Sequence, residues 1–324
     1  MKCVSRLYGA IISTMVSTVC LAAGGDMYPV RPVRLVVGFS AGGSSDTAAR
    51  IAGQRLTELL GQSVVVDNRT GANGAIAGEL VAKAPADGYT LLMITIAYAT
   101  ETALGGRLPY DMSRDFAPVT QVTKQPYLVV VTPSLPANSI PELIALAKSK
   151  PNQLNYGSTG TGGSNHLTTE LFSVAAGIHM THVPYKGPPP ALAAVAAGEL
   201  QLMFSSIVSG LPLTRIGKLR ALAVSSRARS SVVPEIPAIA ESLPGFESVG
   251  WNGIMAPKGT PQSVVQRLAT AVANGMRNEN VRARLAADGS EAVASTPEEF
   301  SQFLKHELAR YRKVIRDTGI AVEP

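Results

Sequence analysis

The chain has 324 residues, 46% of them hydrophobic and 5% aromatic, with 29 Lys and Arg against 23 Asp and Glu. That length allows two domains with substantial cores. The formal charge of +6 is scattered and not striped among aromatics, which excludes a nucleic-acid-binding face, and so few rings exclude a sugar cleft walled by stacked aromatics.

Residues 1–25 read as an export signal, removed on secretion to the periplasm. Lys2 and Arg6 form its charged region, Leu7 to Leu21 the apolar stretch, and Ala22 to Gly25 the small residues of a cleavage site. The stretch is shorter than the roughly 20 apolar residues of a membrane span and carries Ser13, Thr14, Ser17 and Thr18. Cys20 invites a lipoprotein reading, but Val19 stands where a lipobox carries a small residue. Cys3 and Cys20 are the only cysteines, so the mature chain has neither disulfides nor cysteine chemistry.

Val33 to Gly38 is a short β-branched run, the pattern of a buried strand. Ser40 to Ser45 is small and flexible, and Asp46, or Ser45 before it, can cap the helix that follows. That helix places Ala48, Ile51, Ala52, Leu56, Leu59 and Leu60 on one face, and Gly61 ends it. Strand, glycine turn and helix start together aim main-chain N–H groups and the positive end of the helix dipole at the space above the turn. A small anion fits there; the same arrangement also serves as a plain strand–helix connection. A strand at Ser63 to Asp67, a loop at Arg69 to Gly74, a helix to Ala84 and a strand at Tyr89 to Ile96 follow. Ala97 to Leu108 is expected to be a loop or helix on the ligand side, and Pro109 to Val119 an irregular connection.

Leu128 to Thr132 is an apolar strand. Ser139 or Asn138 caps a helix over Pro141 to Lys148, and here the chain is expected to cross into a second lobe. The earlier order then recurs: Leu154 to Asn165 is a strand and glycine turn, and His166 to Ala176 is a helix. A strand at His179 to Val183, a loop at Pro184 to Pro188, a helix to Gly198 and a strand at Leu200 to Ser205 follow. Two βαβαβ units imply two similar lobes, whose ligand loops lie at the carboxyl ends of parallel strands.

Leu219 to Val224 is another core strand, and Gly250 to Pro261, with the sole tryptophan Trp251, is read as the return crossing. Two crossing strands make a hinge. The expected division is lobe one over 26–127 plus 252–324 and lobe two over 128–251. Helices are expected at Gln262 to Met276, at Asn280 to Asp288 and from Pro297, capped by Thr296. The stripe Phe300, Phe303, Leu304, Leu308, Tyr311 and Ile315 is expected to pack on lobe one.

Ser44 and Ser158 bring hydroxyls to the two turns, where they can meet a ligand or bond within the turn. His166 lies one turn into its helix, as a cleft or a structural residue. His179 and His182 are an odd number apart on a strand and face opposite sides, which excludes a shared metal site. Arg69 and Lys186 occupy equivalent loops, where they steer anions or stay solvated. Tyr185 and Trp251 can wall a cleft, and Thr95 and Tyr98 end the third strand as polar groups. With no Gly-x-Ser-x-Gly elbow, no His-Glu-x-x-His and no catalytic cysteine, the chain reads as a binding protein without a cofactor, not an enzyme.

Several stretches taken in order resemble the periplasmic solute-binding receptors of the tripartite tricarboxylate transporter group, the Bug family. They are Tyr28-Pro-Val-Arg-Pro-Val-Arg-Leu-Val-Val, Gly42-Gly-Ser-Ser-Asp, Asp67-Asn-Arg-Thr-Gly-Ala-Asn-Gly, Ala86-Asp-Gly-Tyr-Thr-Leu-Leu, Asp115-Phe-Ala-Pro-Val, His182-Val-Pro-Tyr-Lys-Gly, Gly217-Lys-Leu-Arg-Ala-Leu-Ala-Val, Ala256-Pro-Lys-Gly-Thr-Pro and Thr296-Pro-Glu-Glu-Phe.

The resemblance implies a two-lobed α/β Venus-flytrap fold and a monomer. It implies a small organic carboxylate held in the cleft by backbone amides, hydroxyls and ordered waters. It further implies delivery to membrane transporter subunits, or presentation to a sensor kinase. The implied ligand residues are Ser40, Ala41, Gly42, Gly43, Ser44 and Asp46 in lobe one, and Ser158, Thr159, Gly160, Thr161, Gly162, Gly163, Ser164 and His166 in lobe two. Beside them, Phe39, Thr95, Tyr185, Lys186 and Ser205 are further ligand-binding candidates from their places in the chain. Two departures stand out. Phe39-Ser-Ala41 replaces a proline-containing turn, and Ser205 stands where the family commonly has an aspartate able to pair with a ligand amine, which leans towards a carboxylate without one.

Overall fold

The computed structural model describes residues 28–105, 108–161, 163–185, 187–287 and 289–318. The export segment and the candidates Gly162 and Lys186 lie outside the described residues.

The first unit runs β1 (Val33–Val37), α1 (Ser44–Leu60), β2 (Val64–Asn68), α2 (Ala75–Ala82) and β3 (Thr90–Thr95). Its strands lie parallel in the order β2-β1-β3, with Val33 opposite Val64 and Arg34 opposite Thr90. β1 is almost wholly buried because helices cover both faces, the setting that selects continuous Val and Leu runs. α3 (Ile96–Ala103) leaves β3 without a loop, and β4 (Phe116–Val131) and α4 (Ile140–Ser149) follow.

The second unit repeats the first, with β5 (Asn155–Ser158), α5 (Ser164–Ala176), β6 (Thr181–Pro184), α6 (Pro188–Ala197) and β7 (Leu202–Ser206). Its strands are parallel in the order β6-β5-β7. The chain continues through α7 (Ile207–Arg215), β8 (Arg220–Val224), β9 (Val249–Pro257), α8 (Gln262–Met276), α9 (Glu279–Ala287), β10 (Glu291–Ala292) and α10 (Pro297–Thr318).

β4 joins the two units. Its residues Phe116 to Pro126 pair antiparallel with β9, and Tyr127 to Val131 pair with β7 and β8. β9 in turn pairs with β3, Thr95 lying opposite Asn252. The expectation of an irregular segment up to Val119 is therefore corrected, since the strand begins at Phe116. Pro118, Pro126 and a stretch from Thr120 to Gln125 that is polar except for Val122 disguise it. Register shifts between Pro118 and Thr120, and between Gln121 and Thr123, absorb the residues that break alternation.

The stripe of α10 is also wider in reach than expected. Phe300, Leu304, Leu308 and Tyr311 are buried, and the helix packs on α3 and α8 but also on β4 and on α5 of the second unit. One apolar cluster consequently runs from Val36, Leu92 and Ile94 through α10 to Tyr156, Phe172 and Phe204. The result is a two-lobed mixed α/β protein built around two βαβαβ units that β4 and β9 join. Among the described residues no helix is long and apolar enough to cross a membrane.

Candidate functional site

β1 and β5 each end in a glycine turn that opens a helix. Gly42 and Gly160 take φ values of 82° and 136°, closed to most side chains, and Gly43 and Gly163 are the N-caps of α1 and α5. Neither Ser45 nor Asp46 caps α1, because both already lie in its first turn.

The two turns face one cavity of about 520 Å³, within the range of small-ligand sites. Phe39, Gly43, Ser44 and Ser45 line it from the first turn, and Thr159, Gly160, Thr161, Gly163 and Ser164 from the second. A third helix start, at Thr95, Ile96 and Ala97, adds to the wall beside Thr100, Glu101 and Asn73. The crossing strands supply the floor: Gln125 and Tyr127 from β4, and Gly250, Trp251 and Asn252 from β9.

Hydrogen bonds decide which donors face the cavity. In the first turn the Gly42 amide donates to Asp46 Oδ2 at 2.9 Å and the Gly43 amide to Ser40 O at 3.4 Å. In the second, the amides of Thr159, Gly160 and Gly163 donate to Asn165 Oδ1, Ser158 Oγ and Gly160 O. These turn amides hold the turns themselves. No side chain caps α1 or α5, so their first-turn residues Ser44, Ser45 and Ser164 are the helix-start donors on the wall. α3 is capped, with the Ala97 amide donating to Thr95 Oγ1 at 3.2 Å.

Side chains tie both helix starts to the crossing strand. Ser44 Oγ donates to Gln125 Oε1 at 2.8 Å, and Ser164 bonds the hydroxyl of Tyr127. Asn252 Nδ2 donates to Thr123 Oγ1 at 3.0 Å, and the indole of Trp251 to Glu307 Oε2 at 3.2 Å.

The remaining sequence candidates lie off the cavity wall. Ser40, Ala41 and Gly42 are exposed beside it. Asp46 is buried and braces the first turn, accepting from Gly42, Arg50 and Asn68. Burial opposes its ionisation, but these hydrogen bonds outweigh it and hold the carboxyl below its ordinary range. Arg69 pairs with Asp67 at 3.1 Å. Tyr98 is buried in the apolar cluster shared by the two units, Tyr185 packs on the core beneath α6, and Ser205 is buried with its hydroxyl donating to Ser206 O at 3.0 Å.

Ser158 and His166 belong to a buried group under the second turn. Ser158 Oγ lies 2.6 Å from His182 Nε2 and also bonds both the amide and the carbonyl of Gly160. The His166 and His182 rings stack at 3.8 Å and 8°, with Tyr156 stacked beyond at 5.1 Å from His182. The Tyr156 hydroxyl donates to Glu170. Burial, with His182 beside it, pushes His166 down to about 4; burial likewise lowers His182 and raises Glu170.

The wall residues missing from the sequence-based set include Gln125, Tyr127, Asn252, Asn73, Thr100 and Glu101. Gln125 and Tyr127 were hidden with the strand that carries them. Glu101 lies between Ala97 and Leu108, where the sequence pattern fits a loop and a helix alike. The stacking of His166 on His182 required the β5–β6 register, in which His182 sits opposite Tyr156. Among the described residues no group of three His, Cys, Asp or Glu could hold a metal ion.

Comparison with known proteins bears on this geometry. Residues 48–320 match the model of the tripartite tricarboxylate transporter family receptor. The protein BugT of Bordetella pertussis is 36% identical over 315 residues, covering 96% of this chain and 97% of its own. Rpa4515 of R. palustris, solved with adipate, superposes with a TM-score of 0.75 at 39% identity, over 91% of this chain and 99% of its own. MatC (Rpa3494) of Rhodopseudomonas palustris, with bound malate, superposes with a TM-score of 0.71 at 32% identity, over 89% of this chain and all of its own.

Proposed function

Since the chain belongs to the tripartite tricarboxylate transporter receptor family, we propose that it captures a small organic carboxylate between its lobes in the periplasm. It delivers that ligand to membrane transporter subunits. Residues 1–25 direct export, lobe one comprises 26–127 plus 252–324, and lobe two comprises 128–251. The carboxylates held by the R. palustris relatives support the ligand class.

The observation that carries the reading is the convergence of uncapped helix starts from both lobes, at Ser44–Ser45 and at Ser164, on one cavity. Helix N-termini favour anions through their free amides and dipoles. On the wall, the first-turn amides at Ser44, Ser45 and Ser164 are the donors to the ligand; Phe39, Gly43, Thr95, Thr159, Gly160, Thr161 and Gly163 surround it among the sequence candidates, joined by Gln125, Tyr127 and Asn252. Hydrogen bonds to a charged group contribute about 1.5–3 kcal/mol each. Four or five of them at the upper end of that range, less the cost of closure, reach the roughly −8 kcal/mol of micromolar affinity.

The test is a thermal-shift series with monocarboxylates, dicarboxylates, aromatic acids and amino acids. A carboxylate that binds raises the melting temperature, by about 2.7 kcal/mol of added stability at a hundred-fold excess over Kd. Stabilisation by a different class, with none by any carboxylate, would sink the reading.

A further inference from the structure

The cavity wall holds a single charged side chain among the described residues, and it is acidic. Glu101 projects from the second turn of α3, half-buried, with Oε1 accepting from Asn73 Nδ2 at 2.7 Å. Asn73 stands at φ 51°, in the left-handed region that Asn tolerates better than most residues. This conformation places its amide beside Glu101 on the exposed side of the cavity. No Lys, Arg or His stands among the described wall residues to neutralise the carboxylate.

The site is therefore electrically lopsided. Helix-start donors gather at Ser44, Ser45 and Ser164, and an acceptor stands at Glu101. A ligand with one carboxylate on those donors would present its remaining group to Glu101. A second carboxylate there would meet a like charge, whereas an N–H donor would complete the acceptor's hydrogen bonds. Ser205 does not enter into this choice, because it is buried off the wall and satisfied by Ser206 O. The lean towards an amine-free ligand drawn from that position is thereby removed.

Building on the carboxylate reading, we propose that Glu101 is a specificity-determining residue. It selects a carboxylate whose other end carries an N–H donor, ammonium or primary amide, and disfavours a dicarboxylate. Trp251, the sole tryptophan, lines the cavity and reports occupancy by fluorescence.

The experiment titrates the purified protein and Glu101→Gln with two matched series. One is succinate, succinamate and 4-aminobutanoate; the other is adipate, adipamate and 6-aminohexanoate. Calorimetry supplies the dissociation constants. In at least one series the wild type is expected to bind the amide or the amine about ten-fold tighter than the dicarboxylate, and Glu101→Gln to erase that margin by gaining affinity for the dicarboxylate. In the wild type, raising the salt concentration should narrow the margin against the dicarboxylate, a readout independent of the variant's folding. Equal ratios in both proteins, or a wild-type ratio favouring the dicarboxylate at every salt concentration, overturn the role of Glu101 while leaving carboxylate binding intact. Binding of none of the six by the wild type overturns this inference, while the carboxylate reading is decided by the wider thermal-shift series.

Discussion

His166 and His182 sit face to face in a buried stack beneath the second glycine turn, with Tyr156, Glu170 and Ser158 around them. Histidines in an unfolded chain titrate near 6.5, whereas burial and its neighbour His182 bring His166 down to about 4 in the fold. Between those values the unfolded chain binds protons that the native protein refuses. Stability from this pair is therefore complete above about pH 6.5 and is lost as pH falls towards 4. The melting temperature should drop from pH 7 to pH 5, and drop less in His166→Phe, which keeps a ring against His182 but cannot take a proton. An equal drop in both proteins would assign the effect to carboxylates elsewhere. Sequence alone placed His179 and His182 on opposite strand faces and gave His166 no partner, because stacking between α5 and β6 is a tertiary contact.

Helix boundaries in this protein were legible wherever capping and periodicity agreed. α8 occupies the predicted Gln262–Met276, Ser139 caps α4 by accepting from the Glu142 amide, and α10 starts at Pro297. What α10 does could not be read from its stripe. Glu307, almost fully buried, accepts from the Trp251 indole at 3.2 Å and the Tyr311 hydroxyl at 2.7 Å, and pairs with Arg310 at 2.7 Å. This carboxylate fastens the helix to β9 directly behind the cavity. Glu307→Ala would leave the indole and the hydroxyl without their acceptor and the mostly buried Arg310 guanidinium without its ion-pair partner, a loss of about 3–5 kcal/mol. Chemical denaturation should show that loss, and the emission of Trp251 should shift in the folded variant. A change under about 1 kcal/mol would mean that the contact contributes no more than an exposed ion pair.

At the scale of the whole molecule, two lobes with separate sheets would ordinarily unfold separately. Here the cluster that includes Val36 and Leu92 continues through Phe300, Leu304 and Leu308 into Tyr156, Phe172 and Phe204, and β4 belongs to both sheets. Neither lobe can lose its structure without exposing apolar surface of the other. Calorimetry should therefore record one transition, with calorimetric and van't Hoff enthalpies in agreement; two resolved transitions would contradict the shared core. The two βαβαβ repeats and the two glycine turns were written in local pattern, since strand runs, turn glycines and helix periodicity each depend on neighbours in sequence. The tertiary structure alone decided that β4 spans both sheets, that the turn amides are spent on the turns, and that Glu101, Gln125 and Tyr127 meet at one cavity. Those outcomes depend on β4 pairing with β9 across more than a hundred residues. The residues that pair are buried on both faces or polar, so they carry no alternation that a local reading could detect.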